Sequence, residues 1–166
     1  SSGQSRTDES DFGGASSQSQ DQLEQIRANL SDEITEGLAE VFRDGEAIII
    51  RLTDQGGFGS GSADLRPDFS SLLDSVGDSL TGASGLIQIE GHTDDVAMGF
   101  GNRYRDNWDL SSARAASVAD YLQETGSIAP GSMVIKGFAD TNPIASNDTA
   151  TGRSENRRIE AVVLPN

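Results

Sequence analysis

The chain has 166 residues, with 27 acidic against 12 basic side chains for a net charge of −15, 34% apolar residues and no cysteine. That length fits one domain with chain to spare, and the modest apolar content leaves part of it outside a core. The charge excludes a phosphate backbone as partner, so no nucleic acid is expected, and disfavours an anionic membrane surface; without cysteine there are no disulfides, thiolate metal sites or thiol nucleophiles.

Residues 1–20, SSGQSRTDESDFGGASSQSQ, carry one aromatic, Phe12, in a Ser/Gln/Gly/Asp background. Such a composition buries too little surface to order itself and is expected to be a disordered linker. An abrupt start of this kind is expected of a piece of a longer chain. No run approaches the ~20 apolar residues of a membrane span.

Over residues 21–44, Leu23, Ile26, Leu30, Ile34, Leu38, Val41 and Phe42 recur at three- and four-residue steps. The spacing predicts one amphipathic helix, with Gly45 as its stop. Two roles stay open for it: packing on the domain core, or acting as a spacer or partner-binding helix.

From residue 45 the pattern alternates between strand and helix. AIIIRL (Ala47–Leu52) is a short apolar strand run, followed by the glycine-rich stretch TDQGGFGSGSADLRP. Phe69, Leu72, Leu73, Val76 and Leu80 form a helical stripe, and LIQIEG (Leu86–Gly91) alternates as a strand. After the polar TDDVAMGFGNRYRDNWD, a helix is expected to open at LSSARAASVADYL, with Ser111 as N-cap and Leu110 stapled onto Ala115. Leu110, Ala115, Val118, Ala119 and Leu122 make its buried face and Gly126 ends it. MVIKGF (Met133–Phe138) is a third strand, ADTNPIASNDTATGRSENR a long loop, and RIEAVVL (Arg158–Leu164) the last strand. Helix-length crossovers imply some parallel pairing, so the expected fold is α/β (α+β) with one mixed sheet and helices on one face.

The glycine-rich loop lacks the lysine of a phosphate-binding loop, and tight backbone approach or flexibility accounts for its glycines. The chain's single histidine lies in GHTDD, residues 91–95. His92 has no second histidine or cysteine to complete a metal site, and no metal is expected. No nucleophile elbow supplies a serine for His92 as base. Asp94 and Asp95 are neighbours on an extended segment and diverge, which argues against a carboxylate pair. Asp94 follows a strand, where sites tend to gather. Arg114 falls in the first turn of the helix expected from Leu110, where a cation opposes the helix dipole and calls for an anion. Either Asp94 and Arg114 pair with each other, or both face a zwitterionic ligand, carboxylate to ammonium and guanidinium to carboxylate.

Four blocks in order, GHTD (Gly91–Asp94), NWDLSSARAASV (Asn107–Val118), GFADTNP (Gly137–Pro143) and GRSENRRIE (Gly152–Glu160), resemble the OmpA-like peptidoglycan-binding domain. Within that family the sequence is most similar to the periplasmic region of flagellar motor stator B subunits, of MotB or PomB type. FGSGSADLRP (Phe58–Pro67), the long interval between Asp94 and Asn107, and Trp108 in NWDLS carry that closer resemblance.

The resemblance implies a non-catalytic domain, 45–166, that holds a diaminopimelate-containing peptidoglycan stem peptide without a cofactor. By motif position, Asp94 takes the ligand ammonium and Arg114 its carboxylate. Asn107 lines the same pocket, Arg157 closes it, and Thr93 and Leu110 lie beside it. Arg158 and Glu160 would be structural. The resemblance also implies a homodimer, a stator A subunit as partner through an N-terminal membrane segment, and a place in the periplasm as part of an inner-membrane single-span protein. The sequence departs from the family pattern at Asp95 and Val96, and at Gly61 and Ser62. A generic OmpA-like tether of an outer-membrane protein or lipoprotein is the alternative, and a wall hydrolase is a third reading for which no acid–base pair is evident.

Overall fold

The computed structural model describes residues 14–53, 57–83, 85–126 and 128–165. In chain order these form α1 (Gly14–Asn29), α2 (Ser31–Thr35), β1 (Ala39–Asp44), β2 (Ala47–Thr53), α3 (Pro67–Leu80), β3 (Ile87–His92), α4 (Asn107–Glu124), a 3-10 turn (Pro130–Ser132), β4 (Met133–Gly137), α5 (Ala150–Asn156) and β5 (Arg158–Val163). The strands make one five-stranded mixed sheet in the order β1-β2-β5-β3-β4. β3 and β4 are parallel, joined by α4 as the crossover such a pair needs, and the remaining pairs are antiparallel. The mixed α/β class expected from the sequence is the one observed, and all four expected strands are present.

The N-terminal region differs from the single helix expected over 21–44. Helical packing continues through the buried Leu23, Ile26 and Leu30. The chain then makes the short α2 and turns at Gly37, whose φ of 77° lies in the left-handed region that glycine favours. Ala39 and Val41 are buried with Glu40 exposed between them, so the period becomes two and the segment is a strand. Val41 and Phe42 fit a helical step and an edge strand equally well by apolar character alone. Gly45 stops no helix; with Glu46 it forms the two-residue turn of the β1–β2 hairpin, where Asp44 pairs with Ala47. Residues 1–13 of the expected linker lie outside the described residues, and residues 14–20 belong to α1.

One sheet face supplies Ala39, Val41, Ile48, Ile50, Leu52, Ile87, Ile89, Ile159, Ala161 and Val163 to the core. Against it pack Leu23 and Ile26 of α1, Leu30 between α1 and α2, the Phe69–Leu80 stripe of α3 and Ala115, Val118 and Leu122 of α4. Two glycines set how closely α4 approaches. A Cβ at Gly91 would overlap the Ser111 carbonyl oxygen, and one at Gly137 would overlap the Ser112 hydroxyl. With both positions bare, the start of α4 lies directly on the carboxyl ends of β3 and β4, which places that helix beside the segment following His92.

The opposite face carries a row in register across all five strands: Glu40, Arg51, Glu160, Glu90 and Lys136. The adjacent Glu160 and Glu90 would repel. Arg158 Nε donates to Glu160 Oε2 at 2.6 Å and Arg51 Nε to the same oxygen at 2.9 Å. Burial alone would raise the Glu160 carboxyl, but the two arginines outweigh it and hold the group below the ordinary glutamate value.

Candidate functional site

α4 begins three residues earlier than the sequence indicates. Asp106 is its N-cap, accepting from the Asp109 amide at 2.9 Å, and Ser111 is interior. The Ser111 hydroxyl donates to the Trp108 carbonyl at 3.2 Å and accepts from the Ala139 amide at 3.0 Å. Arg114 therefore lies beyond the first turn, and the helix dipole does not explain its need for a partner.

The glycine-rich loop supplies that partner. Arg114 Nε donates to the Ser62 carbonyl at 2.8 Å and Nη2 to the Gly59 carbonyl at 3.1 Å, and the guanidinium stacks 4.8 Å above the Phe58 ring. Phe58 rests in turn on Phe69 of α3, ring centroids 5.3 Å apart. Close backbone approach is what these glycines provide: Gly61 has φ 65°, and a Cβ at Gly57 would lie 2.7 Å from the Phe69 ring. Arg114 is 5% exposed, so its orientation is fixed by the loop before any ligand arrives.

Asp94 is fixed from two sides. Its Oδ1 accepts from the Val96 amide at 3.0 Å, and its Oδ2 accepts from Arg157 Nη1 at 2.7 Å. The ion pair that Asp94 makes is thus with Arg157, 63 residues on in the chain. Thr93 anchors the segment, its amide donating to the Ala139 carbonyl at 2.8 Å and its hydroxyl to the Asp94 carbonyl at 2.8 Å. Asn107 Nδ2 donates to the Val96 carbonyl at 3.0 Å and the Asp94 carbonyl at 3.4 Å, tying the following loop to α4.

These groups surround one open cavity of about 550 Å³. All six residues singled out from the sequence line it: Thr93, Asp94, Asn107, Leu110, Arg114 and Arg157. Phe58, Ser60 and Gly61 form one wall and Val96, Ala97, Met98 and Gly99 another. Arg153 lines it as well and was missed. Its place four residues before Arg157 in GRSENR was the available signal, because a helical turn puts residues i and i+4 on one side. The expected loop 139–157 contains α5, which carries Arg153. Thr149 caps α5 by accepting from the Gly152 amide at 3.0 Å, and a Cβ at Gly152 would overlap the Ser146 carbonyl oxygen. The fully buried Asn156 holds the loop before it: Oδ1 accepts from the Ile144 and Ala145 amides, and Nδ2 donates to the Ala145 carbonyl and to Asn147 Oδ1.

His92 stacks on Phe138, centroids 5.0 Å apart and planes within 2°. Its Nε2 lies 3.3 Å from Glu90 Oε1. Among the described residues its buried Nδ1 has no hydrogen-bond partner. Glu90, His92 and Glu160 bring one potential metal-ligand atom each within 4.8 Å of one another. Two guanidinium groups already supply the positive charge there, through Glu160 Oε2, which disfavours a cation in the same place. Asp95 is exposed and does not line the cavity.

The cavity can hold a small group that carries both signs of charge. Asp94 uses two of the roughly four acceptor sites of a carboxylate, leaving room for an ammonium. Arg114 presents a guanidinium suited to a carboxylate.

Comparison with known proteins matches residues 57–157 to the OmpA family. Motility protein B of Bacillus subtilis (strain 168) is 31% identical over 151 residues, covering 88% of this chain and 58% of that protein. Peptidoglycan-binding protein ArfA of Mycobacterium tuberculosis (strain H37Rv) is 39% identical over 107 residues, 64% of this chain and 31% of that protein. The solved cell wall anchor of the T6SS from Pseudomonas aeruginosa superposes with a TM-score of 0.76 at 32% identity, covering 85% of this chain and 97% of that one. The chain thus spans about three fifths of the length of the first of these relatives, and less of the second.

Proposed function

The chain belongs to the OmpA family, and from that premise we propose that it binds peptidoglycan without cleaving it and anchors a flagellar motor stator to the cell wall. The ligand is the stem peptide, held at its diaminopimelate residue. Asp94 takes the free ammonium and Arg114 the free carboxylate of that residue. Arg157 orients Asp94, Asn107 and Thr93 fix the backbone around it, and Leu110 packs against the aliphatic side chain that leads to the zwitterionic end. The observation that carries this reading is the convergence on one cavity of a carboxylate and a guanidinium, each immobilised by its own network.

Anchoring gives the stator a fixed point, so that ion flux turns the rotor. The whole protein would be an inner-membrane single-span protein with this domain in the periplasm, working as a homodimer beside a stator A subunit. No helix among the described residues is long and apolar enough to cross a membrane, so the span would lie elsewhere in the protein. Motility protein B favours the stator assignment. The type VI secretion anchor, matched over nearly its whole length, favours a second reading in which the same chemistry tethers another envelope machine or lipoprotein.

Co-sedimentation with purified sacculi tests the binding reading. Wild type is expected to pellet and Arg114→Ala to stay soluble. Equal pelleting of the two would refute the clamp, and release of soluble muropeptides by the purified chain would refute a non-catalytic role. The N-terminal sequence of the full gene product separates the two anchoring readings: a transmembrane helix supports the stator, a lipobox or barrel the tether.

A further inference from the structure

The charge of the cavity runs against that of the chain. The protein carries −15 overall, yet the charged groups lining the cavity are one carboxylate, Asp94, and three guanidinium groups, Arg114, Arg153 and Arg157. Three of the chain's 12 basic residues are gathered here. Arg157 is matched by Asp94. A zwitterion seated on Asp94 and Arg114 adds no net charge, so it leaves Arg153 without an anionic counterpart in the site. Among the described residues no acidic side chain pairs with Arg153.

Arg153 is also held in place. Its Nη1 donates to the Asn147 carbonyl at 2.8 Å, on the loop that the buried Asn156 ties down. A cation pre-positioned at the wall of a binding cavity loses little freedom when an anion arrives, which favours binding there. Resting on the reading above, we infer that Arg153 forms a second anion subsite, and that the cavity selects a ligand carrying one ammonium and at least two carboxylates. In a stem peptide the residue before the diamino acid is a γ-linked glutamate, whose α-carboxylate is free. That carboxylate is the group Arg153 takes. Walls in which it is amidated to isoglutamine present a neutral amide instead and are bound less well. Arg153 is thus a specificity-determining residue that reads the amidation state of the wall.

Calorimetric titration of the chain with synthetic L-Ala-γ-D-Glu-meso-diaminopimelate and with its isoglutamine counterpart tests this. Wild type should bind the acid form about tenfold more tightly, the scale of one charge-assisted hydrogen bond. Arg153→Gln should bring the ratio of the two affinities close to one. Arg153→Lys, which keeps the charge, should retain a preference for the acid form. Thermal melts establish that each variant is folded. Equal wild-type affinity for both peptides, with binding of both lost in Asp94→Asn, would remove the Arg153 subsite and leave the clamp standing. A full preference surviving in folded Arg153→Gln would also overturn it. No binding of either peptide by wild type would bring down the clamp, and this subsite with it.

Discussion

Asp94→Asn is the substitution that separates binding from stability. Asparagine keeps the shape of the side chain, and its Oδ1 still accepts from the Val96 amide. What it loses is the charge facing Arg157 and the acceptor for a ligand ammonium. Arg157 is about a third exposed, so water screens the lost ion pair and the fold gives up only about 0–1 kcal/mol. At roughly 2–4 °C per kcal/mol for a domain of this size, the melting temperature moves by a few degrees at most. The ligand loses far more. A hydrogen bond between charged groups is worth about 1.5–3 kcal/mol, which is ~10- to 150-fold in affinity, and the ammonium is left among three guanidinium groups. Titration with the diaminopimelate tripeptide at moderate salt, paired with a thermal melt, measures both quantities on one sample. An Asp94→Asn protein that melts near wild type and binds within twofold of it would refute the assignment of Asp94 to the ammonium.

Three further outcomes follow from the packing and the charge network. Asn156→Ala empties a fully buried position and removes the partner of the Ile144 and Ala145 amides and the Ala145 carbonyl, which water can partly replace because that loop is only half-buried, so unfolding in urea should show a loss of about 1–3 kcal/mol; a loss under ~0.5 kcal/mol would mean that the loop before α5 is held some other way. Gly91→Ala forces a methyl group onto the Ser111 carbonyl and should cost about 1–3 kcal/mol, with weakened tripeptide binding because α4 is pushed away from Asp94; crystallography of the variant would reveal the shift. Glu160→Gln leaves Arg158 and Arg51 without their shared anion, so wild type is the more stable at neutral pH. The folded Glu160 group titrates below its ordinary 4.5, so its stabilising effect is complete above that value and fades as the pH falls through the lower folded one. Urea melts across that range should therefore show the gap closing in acid, and a gap independent of pH would contradict the network.

Most of the local elements, and six of the residues that line the cavity, were legible in the sequence. Short apolar runs marked β2, β4 and β5, alternation marked β3, and the helical stripe Phe69–Leu80 marked α3, because these patterns are carried by neighbours in the chain. Motif order brought out Thr93, Asp94, Asn107, Leu110, Arg114 and Arg157, and all six line one cavity. Spacing could not separate helix from strand at Val41 and Phe42, since that choice rests on the Gly37 turn and on pairing with β2. Nor could it say who holds whom. Local reasoning left Asp94 and Arg114 either paired with each other or both facing a ligand; folding brings Arg157 to Asp94 from 63 residues away and lays the Gly59 and Ser62 carbonyls against Arg114. Charge partners of that kind are chosen by chain crossings and by the glycines that let backbones meet. They exist only once the sheet has formed and α4 lies on Gly91 and Gly137.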